Sequence, residues 1–569
     1  MAARTRRWVL LATVSAALAA GLAYPLALSV GPAFLDDSGA PTLAHLRSVL
    51  ADPATLRGLG NSTLIAALTP ALAAAIALPL SIVATRCSFP GKGALSALVL
   101  VPLVIPPFVG AIGLRHVLGR MGALNAALGI DVDWLGDGGP GAVAVLQALS
   151  LYPVLHLNLC AALAGVDPSL EDAARCAGAG RWRRFRAVTL PVARPGAFAG
   201  ATIVFVWAFT ELGTPLMLDF HETTAVQVFN GIREVEASRR PYALVAVMLA
   251  CSVGFYALGK WALGRAPAPS GGKASVVRRE RRLSGWRGLA AAALFAAVGG
   301  AACVPALGVL LASVTVPGQW YGSVLPSAFT AEHYAGALAH PLAAGSVRNS
   351  LWLSLAATAL SVAVGFVAAR ILVRHRPRAA WALDALVMLP LAVPGIVLAF
   401  GYVAVSVRWP FWGDGAPLAA AASVLGPDPS PFPFLVVAYA VRRLPYVVRS
   451  VAAGLEQSGE ELEDAARVAG ASPWRVQRRV VAPLVGASLA AGALLAFTAS
   501  MLEVSDGLLL AQREAHFPVT KAIYSLHERL GDGPGIASAM GVWAMALLSV
   551  ALLGAGALLG RRAGAMFRG

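Results

Sequence analysis

Charge is scarce in this chain. Asp, Glu, Lys and Arg make up 13% of its 569 residues, while 58% are hydrophobic, and the mean hydropathy is +0.70. No soluble domain of this size needs so much apolar surface. Cysteine is sparse as well. Cys87, Cys160, Cys176, Cys251 and Cys303 are scattered, with no CxxC and no Cys/His cluster, so neither a disulfide framework nor a metal site is expected. A nucleotide-binding loop is missing. It needs GxxxxGK followed by Ser or Thr, and Gly91-Lys92-Gly93 and Gly272-Lys273-Ala274 do not fit. No nucleophile, base and acid stand together, and no polar segment holds paired carboxylates. The chain is therefore expected to be no enzyme and to hold no cofactor of its own.

What the sequence has instead is long apolar runs. Runs of the length that crosses a bilayer number about twelve. They fall near 8–30, 59–84, 94–118, 141–164, 197–220, 241–262, 289–315, 348–373, 380–405, 433–455, 484–510 and 536–560, the tenth interrupted by Arg442 and Arg443. The expected fold class is an all-α integral membrane protein. The net charge of +16 does not point to nucleic acid, because its placement follows the membrane. With the N-terminus inside, roughly 29 Lys and Arg fall in cytoplasmic loops and roughly 12 outside. Arg4, Arg6 and Arg7 precede the first run, and Arg561, Arg562 and Arg568 follow the last, so both termini are expected to be cytoplasmic. The first run is longer than the apolar core of a signal peptide and reads as a retained helix.

The second half restates the first. Asn61-Ser62 recurs as Asn349-Ser350, Pro102 as Pro390 and Pro106 as Pro394, all at one constant offset. After an external loop four residues longer, Pro153 recurs as Pro445, Gly178 as Gly470, Trp182 as Trp474, Pro191 as Pro483 and Glu211 as Glu503. An even number of spans per half gives both halves one orientation, a parallel repeat. The expected organisation is a first repeat at 1–262, a basic linker at 263–288 and a second repeat at 289–569.

Each half carries a charged loop after its fourth run. The first, about 165–195, holds Glu171-Asp172-Ala173-Ala174 and Gly178. The second, about 456–483, holds Glu463-Asp464-Ala465-Ala466 and Gly470. Asp167-Pro168 opens a helix in the first copy, and Ser458 with Glu461 reads as a capping box in the second. Both helices are expected to stop at the glycine. A second helix follows, with Trp182 or Trp474 at its start and Pro191 or Pro483 closing the unit. The small alanines permit a partner's close approach, the glutamates favour the helix N-terminus, and the tryptophans suit an anchor.

These two loops resemble the EAA loop of importer-type ABC permeases, and the resemblance covers nearly the whole chain. Fused permeases of the ferric-iron type are most similar, with thiamine and phosphonate permeases as close relatives. The family pattern has alanine where Asp172 and Asp464 stand, which adds negative charge. The resemblance implies the type I ABC importer (MetI-like) fold, two six-helix repeats, and residence in a bacterial inner membrane. It also implies partners: two copies of an ATPase subunit, which would bind the ATP and Mg and grip the two loops, and a periplasmic or lipid-anchored substrate-binding protein. No nucleic-acid partner is expected. The implied cargo is ferric iron, with thiamine, an aminophosphonate or a polyamine as alternatives.

The expected transport path is lined by Glu211 and Glu503, whose carboxylates meet across it if the halves face each other. Pro102, Pro106, Pro390 and Pro394 are expected to kink the third and ninth spans. Glu211-Leu212-Gly213-Thr214-Pro215 and Glu503-Val504-Ser505-Asp506-Gly507 should break the fifth and eleventh. Two rival classes fit less well. An ion-coupled carrier of twelve spans has no use for the paired loops, and Thr85-Arg86-Cys87-Ser88-Phe89-Pro90-Gly91-Lys92 lacks its basic motif. A membrane-embedded transferase needs acidic metal-binding clusters, which are missing.

Overall fold

A computed structural model describes residues 2–135, 139–164, 168–263, 280–375, 377–413, 416–426 and 428–559. Asp167, most of the basic linker and Arg561, Arg562 and Arg568 lie outside the described residues, as do the side chains of Arg4, Arg6 and Arg7. The chain is helical almost throughout. Among the described residues, seven helices are long and apolar enough to cross a membrane, or ten if each bent pair is one span. Two further expected segments are helices that miss this test. The fifth ends early, at Thr210, and the tenth, Phe432–Gln457, carries Arg442, Arg443 and Arg449.

The expected breaks have physical causes. Lys92–Val104 turns by 102° into Pro107–Leu128, and Ala380–Ala392 turns by 104° into Gly395–Ser406. Pro106 and Pro394 stand at the two corners, and each forces the residue before it out of helical geometry. The expected fifth and eleventh runs reached 220 and 510. Their helices stop at Thr210 and Met501, and short helices Gly213–Met217 and Ser505–Leu510 follow.

The chain forms two compact units, and they do not follow the repeat boundary. One unit holds residues 1–49, 228–246 and 334–568; the other holds 50–227 and 247–333. Each unit thus takes its first span from the other repeat. The packing explains how. In one unit a Cβ on Gly401 would stand 2.5 Å from the Pro25 carbonyl oxygen. In the other, a Cβ on Gly113 would overlap the Pro305 carbonyl oxygen. Gly113 and Gly401 are mates at the same offset as Pro106 and Pro394. Both positions need glycine because a helix backbone crosses at contact distance.

Asn61-Ser62 and Asn349-Ser350 do equivalent work within their own units. Asn61 Nδ2 donates to the Glu222 carbonyl at 2.9 Å, and Ser62 Oγ accepts from the Thr224 amide at 2.9 Å. Asn349 Nδ2 donates to the carbonyls of Ala515 and Phe517 at 2.9 and 3.2 Å, and Ser350 Oγ accepts from the Val519 amide at 2.8 Å. Each pair pins the loop that follows the broken span.

Candidate functional site

The two charged loops fold alike. Pro168–Cys176 and Glu461–Val468 are short helices. Each ends in a left-handed glycine, Gly178 at φ +77° and Gly470 at φ +82°. The Ala179 amide reaches back to the Ala174 carbonyl at 2.9 Å, and the Ala471 amide to the Ala466 carbonyl at 3.0 Å. This ending satisfies carbonyls the helix leaves open, and only glycine adopts it without strain. A Cβ at either glycine would meet nothing within 4 Å, so the space outside the turn is open.

The second helices begin as expected, with Ser472 Oγ accepting from the Arg475 amide at 3.4 Å. Trp182 and Trp474 are 70% and 71% exposed. Two details differ from the sequence reading. The capping box is not formed: Ser458 Oγ turns back to the carbonyls of Gly454 and Leu455, at 3.0 and 3.2 Å, and closes the preceding helix instead. Pro191 and Pro483 each follow a wide helical turn, Phe185–Thr189 or Gln477–Val481, but only one of them ends the loop. Pro191 lies in the helix Leu190–Thr210 and does not close it, whereas Pro483 lies in the short stretch Ala482–Leu484, after which the chain bends by 74° into Gly486–Met501. The wide turn accommodates a ring that would clash with the carbonyl four residues back.

The loop residues divide into two faces. Asp172, Ala173, Asp464 and Ala465 are exposed, while Ala174 and Ala466 are half-buried. Asp464 pairs with Arg467 at 2.5 Å and Asp172 with Arg175 at 3.7 Å. Glu171 and Glu463 face inward. Glu171 meets Arg86, the last residue of the second span, and accepts from Thr189 Oγ1 at 2.8 Å. Glu463, its side chain 3% exposed, receives Arg370 at 3.1 Å, Arg374 at 3.0 Å and Arg467 at 3.2 Å. The sequence reading missed these arginines, although Arg86 and Arg374 are mates at the offset of the Asn-Ser pairs.

The broken spans differ more. Glu211 caps the short helix after it, its Oε1 accepting from the Thr214 amide at 3.4 Å. Glu503 sits in a cluster of charges. Arg442 reaches Glu503 at 2.5 Å and Asp506 at 3.3 Å, and Arg443 also grips Glu503. Asp506 is fully buried and Glu503 nearly so. The repeat mates of Arg442 and Arg443 are Ser150 and Leu151. Glu503 is thus paired: with Asp506 it shares Arg442 and Arg443 in a cluster of two carboxylates and two guanidinium groups.

The loops at the ends of the spans away from Gly178 and Gly470 hold paired charges. Arg115 meets Asp219 at 2.6 Å, Arg529 meets Glu514 at 2.5 Å and Arg513 meets Asp428 at 3.5 Å. Burial, with Arg513 beside it, lowers the His516 pKa below its ordinary value. No group of three or more His, Cys, Asp or Glu side chains that could hold a metal occurs among the described residues.

Comparison with known proteins agrees with this arrangement. Residues 77–263 and 361–564 each match the family described as "Binding-protein-dependent transport system inner membrane component". A molybdate/tungstate transport system permease protein, WtpB of Thermococcus kodakarensis, is 33% identical over 256 residues, 44% of this chain and 95% of that protein. A putative ferric transport system permease protein, FbpB 1 of Haemophilus influenzae, is 25% identical over 518 residues, 86% of this chain and 75% of that protein. The molybdenum transport system permease protein ModB of Escherichia coli is 38% identical over 135 residues, 23% of this chain and 57% of that protein. Two family matches on one chain, laid over two repeats with equivalent loops, make this a fused, multi-span member of the binding-protein-dependent ABC importer permease family.

Proposed function

We propose that this chain is the membrane subunit of an ATP-driven importer for ferric iron. Two copies of an ATPase grip the loops at Gly178 and Gly470, and a separate periplasmic or lipid-anchored binding protein delivers the cargo. ATP and Mg bind the ATPase partners, and both termini of this chain face the cytoplasm. ATP binding favours one conformation of the permease over the other and so drives the change of access. The observation that carries the reading is the matched pair of loops: the same left-handed glycine, the same open space outside it and the same exposed tryptophan occur twice.

Ferric iron is favoured because the similarity to a ferric permease runs through both repeats, over 86% of this chain. A second reading is an oxyanion such as molybdate. It is favoured by the 33% identity to a molybdate/tungstate permease. Thiamine, 2-aminoethylphosphonate and polyamines remain alternatives of the same importer class. The path reading of Glu211, Glu503 and the corner prolines Pro102, Pro106, Pro390 and Pro394 belongs to this proposal too.

The test is ATPase activity of the chain reconstituted with its ATPase and binding protein. Fe(III), molybdate, thiamine, 2-aminoethylphosphonate and putrescine are offered in turn. Stimulation by Fe(III) alone supports the ferric reading. Stimulation by another compound replaces the cargo and keeps the importer. A chain that binds no ATPase ends the importer reading.

A further inference from the structure

The glutamates that head the two loops do not face the open side where a motor would dock. Each points back to the end of its own second span. In the unit holding the first loop, Arg86 is the last residue of Pro53–Arg86, and its guanidinium meets Glu171 and Thr189 together. Thr189 lies in the wide turn that leads into the fifth helix. One ionic contact therefore joins three elements: the second span, the loop helix and the start of the fifth helix.

The other unit builds the same joint with different residues. Arg374 is the mate of Arg86, and it reaches Glu463 at 3.0 Å and the Ser458 carbonyl at 2.5 Å. One turn earlier stands Arg370, which reaches Glu463 at 3.1 Å. The mate of Arg370 is Ile82, and the mate of Thr189 is Val481. An isoleucine cannot pair with a carboxylate, so the second arginine of this joint has no basic mate at its position in the first repeat. The Glu463 side chain is 3% exposed, against 14% for Glu171. A buried carboxylate held by two buried arginines is stiff, because removing any partner leaves a charge unpaired. The Arg86–Glu171 pair, its side chains 24% and 14% exposed, is more open to water and has one arginine fewer at the mated positions, so it yields more readily.

We propose that Glu171 and Glu463 are positioning residues that tie each motor loop to its own second span, and that the second-repeat tie is the tighter one. The motor's movement then reaches the transmembrane helices along two unequal linkages. This rests on the proposed docking of an ATPase at the two loops. It assigns the glutamates a role inside the chain, leaving the turn glycines and tryptophans as the docking face.

Two measurements test it on the complete transporter in lipid. The first is hydrogen exchange without substrate. Amides of Glu461–Val468 should be protected longer than those of Pro168–Cys176, and Arg370→Ile, which installs the first repeat's residue, should bring the two loops together. The second is uptake per ATP hydrolysed, with Fe(III) or molybdate as the probe, whichever the unaltered complex transports. Glu463→Gln should lower it about tenfold and Glu171→Gln about threefold, within the usual range of coupling between sites. In the Arg370→Ile background, Glu463→Gln should add only about threefold, a non-additivity expected of groups in one network. Arg86→Glu combined with Glu171→Arg should recover the coupling that either alone loses, which a general packing role would not do. If Glu463→Gln fails to fold, Arg370→Ile alone carries the comparison. The control is Gly178→Arg with Gly470→Arg. If that variant releases the ATPase while the glutamate variants leave loop exchange and uptake per ATP unaltered, the tie is wrong and the docking reading stands. If it retains a coupled ATPase, the docking reading itself falls.

Discussion

The two repeats agree where the chain turns and differ where it carries charge. Gly178 and Gly470 adopt the same left-handed turn, and Pro106 and Pro394 stand at corners of nearly equal angle. At the broken spans the likeness ends. Around Glu211 the mates of the arginines are Ser150 and Leu151, while around Glu503 they are Arg442 and Arg443, with Asp506 added. Geometry demanded by a shared architecture is held in common, because a glycine or proline answers to the backbone alone. A charge buried at bilayer depth answers to a local set of partners, and such a set is kept or lost as a whole.

The largest expected effect removes what the repeats share. Gly178→Arg with Gly470→Arg forces a long side chain into the open space outside both turns and adds left-handed strain of about 1–2 kcal/mol at each. Co-purification with the ATPase should fall by roughly 4 kcal/mol or more in binding terms, the scale of a blocked hot spot. An equally tight complex would show that the shared turns face nothing.

The next effect tests what the repeats do not share. Arg442→Ser with Arg443→Leu installs the first repeat's residues and strands two buried carboxylates. The loss should be about 3–5 kcal/mol, read as a lowered melting temperature in detergent. Glu211→Gln, in the first repeat, should cost no more than about 1 kcal/mol. Equal shifts would mean that the Arg442 cluster contributes no special stability.

A smaller difference is expected at the loop pins. Asn349→Ala leaves two carbonyls short of a donor in a buried or part-buried site and should cost about 1–3 kcal/mol, whereas Asn61→Ala frees one exposed carbonyl and should cost less than about 1 kcal/mol. Melting of the two variants side by side decides this. The reverse order would mean that the first pin bears the greater load.

How much of this was legible in the sequence depends on how local each cause is. The turn glycines, the corner prolines and the break at Glu503 announce themselves, because the residue type itself forces the geometry. The capping box failed because Ser458 had a nearer use at the end of the preceding helix, a choice that spacing alone does not reveal. The ties of Glu171 and Glu463 span more than eighty positions. Still, Arg86 and Arg374 recur at the repeat offset and could have been paired with the glutamates on that ground. The exchange of first spans was invisible. It depends on Gly113 meeting Pro305 and Gly401 meeting Pro25, and glycine and proline in an apolar run do not say which helix crosses them.

The smallest stability effect belongs to the outermost side chains. Trp182 and Trp474 are mostly exposed, so Trp182→Ala and Trp474→Ala should each alter melting by less than about 0.5 kcal/mol. If they anchor the motor, each should still weaken ATPase binding by about 1–2 kcal/mol, and by similar amounts. That equality is the sharper part of the comparison. The inner faces of the two loops differ in their ties, while the outer faces carry the same residue at the same exposure. Two copies of one ATPase would demand this likeness outside and tolerate the difference within. Binding losses that differ several-fold between the two tryptophans would mean that the asymmetry reaches the docking face and that the two loops present different surfaces to their partners.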